Sequence, residues 1–311
     1  MNILIVVHVF LAVFSTWSLH AGLQTHFRPV EGKTTDCFNQ VQNIDFIYLI
    51  NLDQRPEKWA HCLNELAPYH IQPYRFSAVN GWELSLEVLN QLGVKYSPQF
   101  CKNLWGTAYL PEDNFQPHHE IMQVVGRNYF CHCMSRGAIG IVLSHLSILQ
   151  DAYDSGYETI WVLEDDIEVI QNPHLLSDLI TRLDNLVGKG GWDILFTDQD
   201  SKGQDGNYIP CYDTARRPDF IPLDEKRLRL RGNVSADFRR IGVRYGAYSM
   251  IIRRSGMKKI LDFYREHNIF LPYDMEYYFP QNILFYTVRS DVISTQPRAP
   301  SDNGSPGYLR K

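Results

Sequence analysis

The sequence predicts an α/β fold, with a mostly parallel central sheet flanked by helices, and three observations carry that prediction. Short apolar runs recur with helical stretches between them, the alternation that builds a helix-covered sheet. The runs are continuous, as expected for strands buried on both faces. Polar and acidic residues collect just after several of them, where such sheets bind ligands.

The first strand is expected at residues 44–52 (IDFIYLINL). Pro56 suits a first helical turn, and Trp59, Cys62, Leu63 and Leu66 follow at helical spacing. Residues 74–78 read as a second strand, ending at Asn80-Gly81. Residues 94–135 are rich in aromatics, His, Pro and Cys without a clear period, and are expected to form an insertion or lid that selects the acceptor. A helix follows from Ile139, with Leu143, Leu146 and Tyr153 on one face. Residues 160–163 (IWVL) form a strand that runs into Glu164-Asp165-Asp166. Leu176, Leu179, Leu183 and Leu186 mark the next helix, stopped by Gly188. Residues 192–196 are a strand ending at Thr197-Asp198-Gln199-Asp200. Another spans 248–252, and Ser255 is the expected cap of a helix bearing Met257, Ile260, Leu261 and Tyr264. The apolar run 283–288 comes last.

A chain of 311 residues with 44% hydrophobic and 13% aromatic residues is long and apolar enough for a sizeable globular core. Its formal net charge of −5 gives no signal for nucleic-acid binding. Residues 3–14 (ILIVVHVFLAVF) resemble the apolar core of a signal peptide and are short for a membrane span. Residues 1–21 are therefore read as a signal peptide or short signal anchor, which implies export to a secretory lumen or membrane attachment with a cytosolic catalytic domain. If the segment is instead a buried strand or helix, a cytoplasmic location follows. Residues 22–42 read as a linker, 43–302 as one domain and 303–311 as a tail. The six cysteines fit no zinc spacing, and Cys131-His132-Cys133 is tighter than the usual two to four intervening residues. Asn233-Val234-Ser235 and Asn303-Gly304-Ser305 are glycosylation sequons, which matter in a eukaryotic secretory lumen.

The acidic triplet carries the functional argument. Three adjacent carboxylates at the end of a buried strand are costly, because a desolvated charge needs a partner or a cation. A divalent metal takes hard oxygen ligands and turns that repulsion into coordination. On an extended backbone Glu164 and Asp166 point one way and Asp165 the other. A charged loop after a strand is the competing reading. Asn51, Asp53, Asp198 and Asp200 also fall at carboxyl ends of expected strands, and that convergence favours the metal site.

Six segments, in order, resemble glycosyltransferase family 25, the lipooligosaccharide and procollagen galactosyltransferase type. They are residues 47–59 (IYLINLDQRPEKW), 75–81 (RFSAVNG, with Asn80 where the family has an acid), 140–145 (GIVLSH, with Ile141 for a cysteine), 163–166 (LEDD), 245–261 (YGAYSMIIRRSGMKKIL, with Met257 for an alanine) and Pro272-Tyr273-Asp274. The resemblance implies a GT-A-like domain over 43–302 that transfers a hexose, galactose or glucose, from a UDP-sugar. The acceptor would be a hydroxyl of a glycan, a lipid-linked sugar or a protein. It also implies Mn²⁺ or Mg²⁺ as cofactor and an inverting reaction.

On that resemblance Asp166 is the expected direct metal ligand, and Glu164 a second ligand or a ribose contact. Asp165 would anchor the loop or touch the donor sugar. Asn51, Asp53 and Arg55 would meet the nucleotide, and His145 would contact phosphate or serve as a structural histidine. Asp274 is the first candidate for the base that deprotonates the acceptor, with Asp200 and Asp198 behind it. Arg227, Arg229 and Arg231 would line a solvated edge or neutralise an anionic group. A catalytically inactive sugar-binding relative is the alternative. A phosphotransfer enzyme would need a glycine-rich P-loop, which the sequence lacks.

Overall fold

The computed structural model describes residues 22–309 except Cys101 and Phe115, so the expected signal segment lies outside the described residues. The chain runs from β1 (Phe38–Val41) and β2 (Ile44–Asn51) through α1 (Pro56–Leu66), β3 (Tyr74–Ser77) and α2 (Leu86–Leu92). Four short strands follow: β4 (Val94–Lys95), β5 (Trp105–Tyr109), β6 (Pro117–Ile121) and β7 (Asn128–Cys131). Beyond α3 (Arg136–Asp154), β8 (Thr159–Glu164) enters the acidic triplet, and β9 (Ile167–Val169) starts directly after it. Then come α4 (Leu175–Val187), β10 (Ile194–Phe196), α5 (Glu225–Leu228), β11 (Arg231–Asn233) and β12 (Phe238–Ile241). The fold closes with β13 (Ser249–Arg253), α6 (Arg254–His267), β14 (Phe285–Val288) and β15 (Ile293–Thr295).

The central sheet has the order β1-β2-β8-β13-β10-β14-β12-β11, with β3 also paired to β2. It is mixed, which corrects the expectation of a mostly parallel sheet. Only β2 with β3, β2 with β8 and β10 with β14 run parallel. The cause is β13, which inserts between β8 and β10 antiparallel to both. At the far edge the β11–β12 hairpin and the β12–β14 pair are antiparallel as well. A strand covered on both faces is a continuous apolar run whichever way it points, so its direction leaves no mark on composition.

Alternation along each strand sorts the core into two layers. Phe46, Tyr48, Ile50, Ile160, Val162 and Met250 face a cluster that includes α3 and α6. Ile47, Leu49, Trp161, Leu163 and Ile251 face the other, with Cys62 and Leu66 of α1 and Leu176, Ile180 and Leu183 of α4. The same alternation continues into the acidic triplet and decides which carboxylate meets which helix.

Several local readings need revision. Helix α3 starts three residues before Ile139, capped by Ser135, whose Oγ accepts from the Ala138 amide at 3.0 Å. Ser255 caps nothing: it lies inside α6 and donates to Asp193 Oδ1 at 2.6 Å. Residues 94–135, expected as an insertion or lid, hold a separate antiparallel sheet of order β4-β7-β5-β6. Residues 22–42 pack on the domain: Leu23 is buried, Lys33 pairs with Asp151 at 2.5 Å, and β1 joins the sheet. The stop at Gly188 holds, with φ of 82°. Among the described residues no helix is long and apolar enough to cross a membrane.

Two glycines explain why the turn after β3 lies where it does. A Cβ on Gly81 would stand 1.8 Å from the Arg136 carbonyl oxygen, and one on Gly140 would stand 2.4 Å from that of Val79. Ser144 completes the junction by accepting from the Val79 amide at 2.8 Å. The turn therefore rests directly on the α3 backbone. Gly81→Ala is expected to destabilise the fold by about 2–3 kcal/mol, because a methyl inserted between two backbones has no flexible neighbour to displace. A urea titration against wild type measures this.

Candidate active site

Strand periodicity places the carboxylates. Val162 and Glu164 share the α3 side of β8, so Glu164 meets His145, whose Nε2 donates to Glu164 Oε1 at 2.8 Å. Asp165 falls on the α1 side, where Lys58 Nζ lies 3.3 Å from Oδ1 and Asn51 Nδ2 donates to Oδ2 at 2.8 Å. Asp166 follows the strand end and turns into the cavity. Its Oδ1 is buried without a hydrogen-bond partner. Burial, reinforced by the charges of Glu164 and Asp165, pushes the Asp166 carboxyl up to about 7. Asp165 is also raised by burial, against the pull of Lys58 and Asn51.

Glu164 lines two cavities, as do Ile141 and Asn303. One, of about 100 Å³, is lined by Lys58, Trp82, Glu164, Asp165, Asp166 and Asp302, among others. The second, of about 110 Å³, is lined by Glu164, Gly246, Tyr273 and Asp274 with their neighbours. Asp274 Oδ2 accepts from the Gly246 amide at 2.8 Å. Burial raises the Asp274 carboxyl and the nearby Glu164 charge adds to it, partly offset by that amide. A carboxylate held above its ordinary range is a better proton acceptor near neutral pH.

The remaining expected site residues each have protein partners, some at the site and some away from it. The buried Asn51 carboxamide is spent on Asp165, on the Arg55 carbonyl and on Arg75, whose Nε donates to Oδ1 at 2.9 Å. Asp53 is paired with Arg75 at 3.0 Å and accepts from Ser77. Arg55 forms a two-pronged pair with Asp302, at 2.6 and 2.8 Å. Asp200 is ion-paired with Arg231 and Arg239. Asp198 is fully buried against Arg244, Tyr248 and Ser294. Neither Asp198 nor Asp200 lines the two cavities at Glu164. Of the three expected edge arginines, Arg227 donates to the Tyr278 and Phe279 carbonyls and Arg231 holds Asp200. His145 is wholly buried, stacked on Tyr273 with ring centroids 4.1 Å apart. Its task is to orient Glu164.

Sequence reasoning missed Lys58, Trp82 and the segment 301–303. Lys58 carried a signal, being the third residue of a helix that begins soon after a strand end. Asp302 carried none, since its partner lies 247 residues away. Asn303 also lines both cavities at Glu164, so the sequon suited to a glycan is the one at the exposed Asn233.

The residues at hand fit a divalent cation. Among the described residues no three His, Cys, Asp or Glu side chains form a complete metal cage. A Mg²⁺-type site does not need one, because one or two carboxylates plus substrate phosphate oxygens fill its shell. The fit rests on the unpartnered Asp166 Oδ1 and on the charges of Glu164 and Asp165 beside it.

The profile of the family described as glycosyltransferase family 25 (LPS biosynthesis protein) matches residues 44–276. The chain belongs to glycosyltransferase family 25. That span takes in both cavities apart from the 301–303 segment. Among family 25 relatives, a "Glycosyltransferase 25 family member" of Aedes aegypti is 29% identical over 153 residues, 49% of this chain and 21% of that protein. Its namesake in Drosophila melanogaster is 27% identical over 154 residues, 50% of this chain and 21% of that protein. An "Inactive glycosyltransferase 25 family member 3" of Mus musculus is 26% identical over 152 residues, 49% and 21% of the two chains. The matches thus span about a fifth of each relative's length.

The family motifs now have physical reasons. In GIVLSH, Gly140 admits the Asn80-Gly81 turn, Ser144 pins Val79 and His145 fixes Glu164. Asn80, where the family has an acid, accepts from Trp82 N at 3.2 Å and donates to Glu83 and to Tyr308. It caps a turn and needs no charge to do so. His145→Phe keeps a ring against Tyr273 but removes the Glu164 donor. If the site takes a metal-loaded nucleotide, this variant is expected to weaken that binding about 10–100-fold, the range for a lost ligand-orienting bond. Calorimetric titration reads this directly.

Proposed function

We propose that this chain is a metal-dependent hexosyltransferase with a GT-A-type donor site, moving galactose or glucose from a UDP-sugar to an acceptor hydroxyl with inversion. The observation that carries the reading is Glu164, which lines both the cavity holding the acidic triplet and the one holding Asp274. A group-transfer enzyme needs that adjacency, with leaving-group chemistry in one cavity and proton removal in the other.

Asp166 would hold Mn²⁺ or Mg²⁺, with Glu164 as a second oxygen donor. When bound, the cation neutralises the negative charge that develops on the departing diphosphate. Asp165, held by Asn51 and Lys58, keeps the loop in place and leaves Asp166 free to face the cavity. Asp274 takes the proton from the acceptor hydroxyl as the hydroxyl attacks the anomeric carbon. The Gly246 amide fixes one Asp274 oxygen and so aims the other.

The acceptor would be a glycan, a lipid-linked sugar or a protein. Its remainder would be selected by the 94–135 sheet, and a cavity of about 460 Å³ lined by Tyr212, Arg216, Phe220 and Arg229 among others is a second candidate surface. Export or membrane attachment is proposed from the apolar run 3–14 alone, and protease protection of a C-terminal tag tests it.

The experiment is transfer by the purified chain with Mn²⁺ and a panel of UDP-sugars and acceptors. Asp274→Asn is expected to lower kcat by about 10²–10⁴-fold, the range for a lost general base, with UDP affinity unchanged. One observation favours a second reading, a sugar-binding chain without turnover: some relatives carry "inactive" in their names. In that case UDP-sugar binds and no panel member is consumed.

A further inference from the structure

The donor cavity is too small for its proposed occupant. Pockets that enclose a nucleotide-sized ligand run to roughly 300–1,000 Å³, whereas this one is about 100 Å³. The chain's own segment 301–303 lines this cavity together with the acidic triplet.

That segment is tied to the site at several points. It leaves β15, which is paired with β9 immediately beyond the acidic triplet, and the Gln296 amide donates to the Asp166 carbonyl at 2.9 Å. Trp82 Nε1 donates to the Asp302 carbonyl at 2.9 Å, and Ser135 Oγ donates to Asn303 at 2.5 Å. Gly307 lies over the Arg55–Asp302 pair, where a Cβ would come within 2.9 Å of Asp302 Oδ1 and 3.2 Å of Arg55 Nη2. The pair itself is shielded, with Asp302 7% and Arg55 14% exposed.

The chemistry of that pair is informative. A guanidinium gripping two oxygens of one carboxylate presents the fork that also grips two oxygens of a phosphate. Arg55 follows the end of β2, on the side of the sheet where the triplet ends β8. We infer that Asp302 is an internal stand-in for the donor diphosphate, and that residues 296–309 form a strap which the donor must displace. The inference rests on the donor-site reading above. In the free chain Arg55 and the cavity are occupied by the strap. Donor binding exchanges the Asp302 carboxylate for phosphate oxygens on Arg55 and opens the volume that the nucleotide needs. Apparent donor affinity is then the intrinsic affinity scaled by the fraction of chains with the strap released. Weakening the strap tightens binding without adding a contact.

UDP with Mn²⁺ is the probe, titrated calorimetrically into wild type, Asp302→Asn, Arg55→Gln and the double variant. Asp302→Asn is expected to tighten UDP binding on the order of tenfold, since it removes one partner of a shielded charge pair. Arg55→Gln is expected to weaken it, and adding Asp302→Asn to Arg55→Gln should restore little, because the gain runs through Arg55. Hydrogen exchange on the unaltered chain gives a second reading: amides in 299–309 should lose protection when UDP is added. If wild type binds UDP but Asp302→Asn binds no tighter and 299–309 keeps its protection, the strap inference fails and the donor site stands. If no variant binds UDP at all, both fail together.

Discussion

Asp166→Asn is expected to lower sugar transfer by about 10²–10³-fold, the scale on which removing one preorganised charge-stabilising group acts. The same change should raise the thermal midpoint without added metal, because Asp166 Oδ1 is buried without a partner beside the charges of Glu164 and Asp165. The pH dependence follows from its raised carboxyl, about 7 against an ordinary 3.8. Between those values the folded chain binds a proton that the unfolded chain does not. The Asp166 contribution to stability is therefore most favourable at low pH and falls as pH rises toward 7. Asp274 and Glu276 are raised as well, so the difference between wild type and Asp166→Asn isolates this residue. Metal binding has the opposite slope, because a cation competes with that proton and affinity climbs up to about pH 7. Differential scanning fluorimetry across pH, with and without Mn²⁺, measures both. A site that is unstable when empty and productive when filled is the expected trade between stability and activity.

Arg217→Ala should cost about 3–5 kcal/mol of stability, the range for stranding a buried charge. Arg217 is fully buried, paired with Glu276 and with Asp219 at 3.1 Å, and its Nη2 donates to the His267 carbonyl at 2.6 Å. Glu276 in turn accepts from the Phe270 and Leu271 amides at 3.2 and 3.1 Å, which fixes the loop carrying Pro272–Asp274. Burial already pushes the Glu276 carboxyl up to about 7, with Arg217 the main opposing charge. Without that charge the carboxyl rises further, so the variant should be hurt more at pH 8, where Glu276 would have to ionise, than at pH 6. Pairing Arg217→Met with Glu276→Gln removes both charges while keeping an acceptor for the two amides, and should recover most of the loss. Urea unfolding at the two pH values reads the difference. Activity gives an independent check, since Asp274 lies two residues before Glu276.

The elements that lie deep in the core were legible because burial on both faces writes itself as unbroken apolar runs: β2, β8, β10, β13 and β14 were each found, as were α1, α3, α4 and α6. Their directions were not legible, since the insertion of β13 between β8 and β10 changes no residue's environment from apolar to polar. Glu164 and Asp165 were assigned to opposite sides of β8 from the two-residue period alone, and His145 and Lys58 bear that out. Asp198 and Asp200 gave the same acid-at-strand-end signal, yet they are neutralised by arginines 46 and 31 residues further on, respectively. A strand-end carboxylate announces a charge to be balanced; whether a metal or a distant arginine balances it is a tertiary fact. Arg55 illustrates the reverse, a residue expected at the nucleotide and found beside the cavity, but gripping Asp302.

The most direct measurement is electron paramagnetic resonance of Mn²⁺ titrated into the protein with and without UDP. The account predicts that the free-ion signal is lost when UDP is present, that loss weakens as pH falls below about 7, and that Asp166→Asn abolishes it. Equal Mn²⁺ binding by wild type and Asp166→Asn, or none by wild type in the presence of UDP, would contradict it.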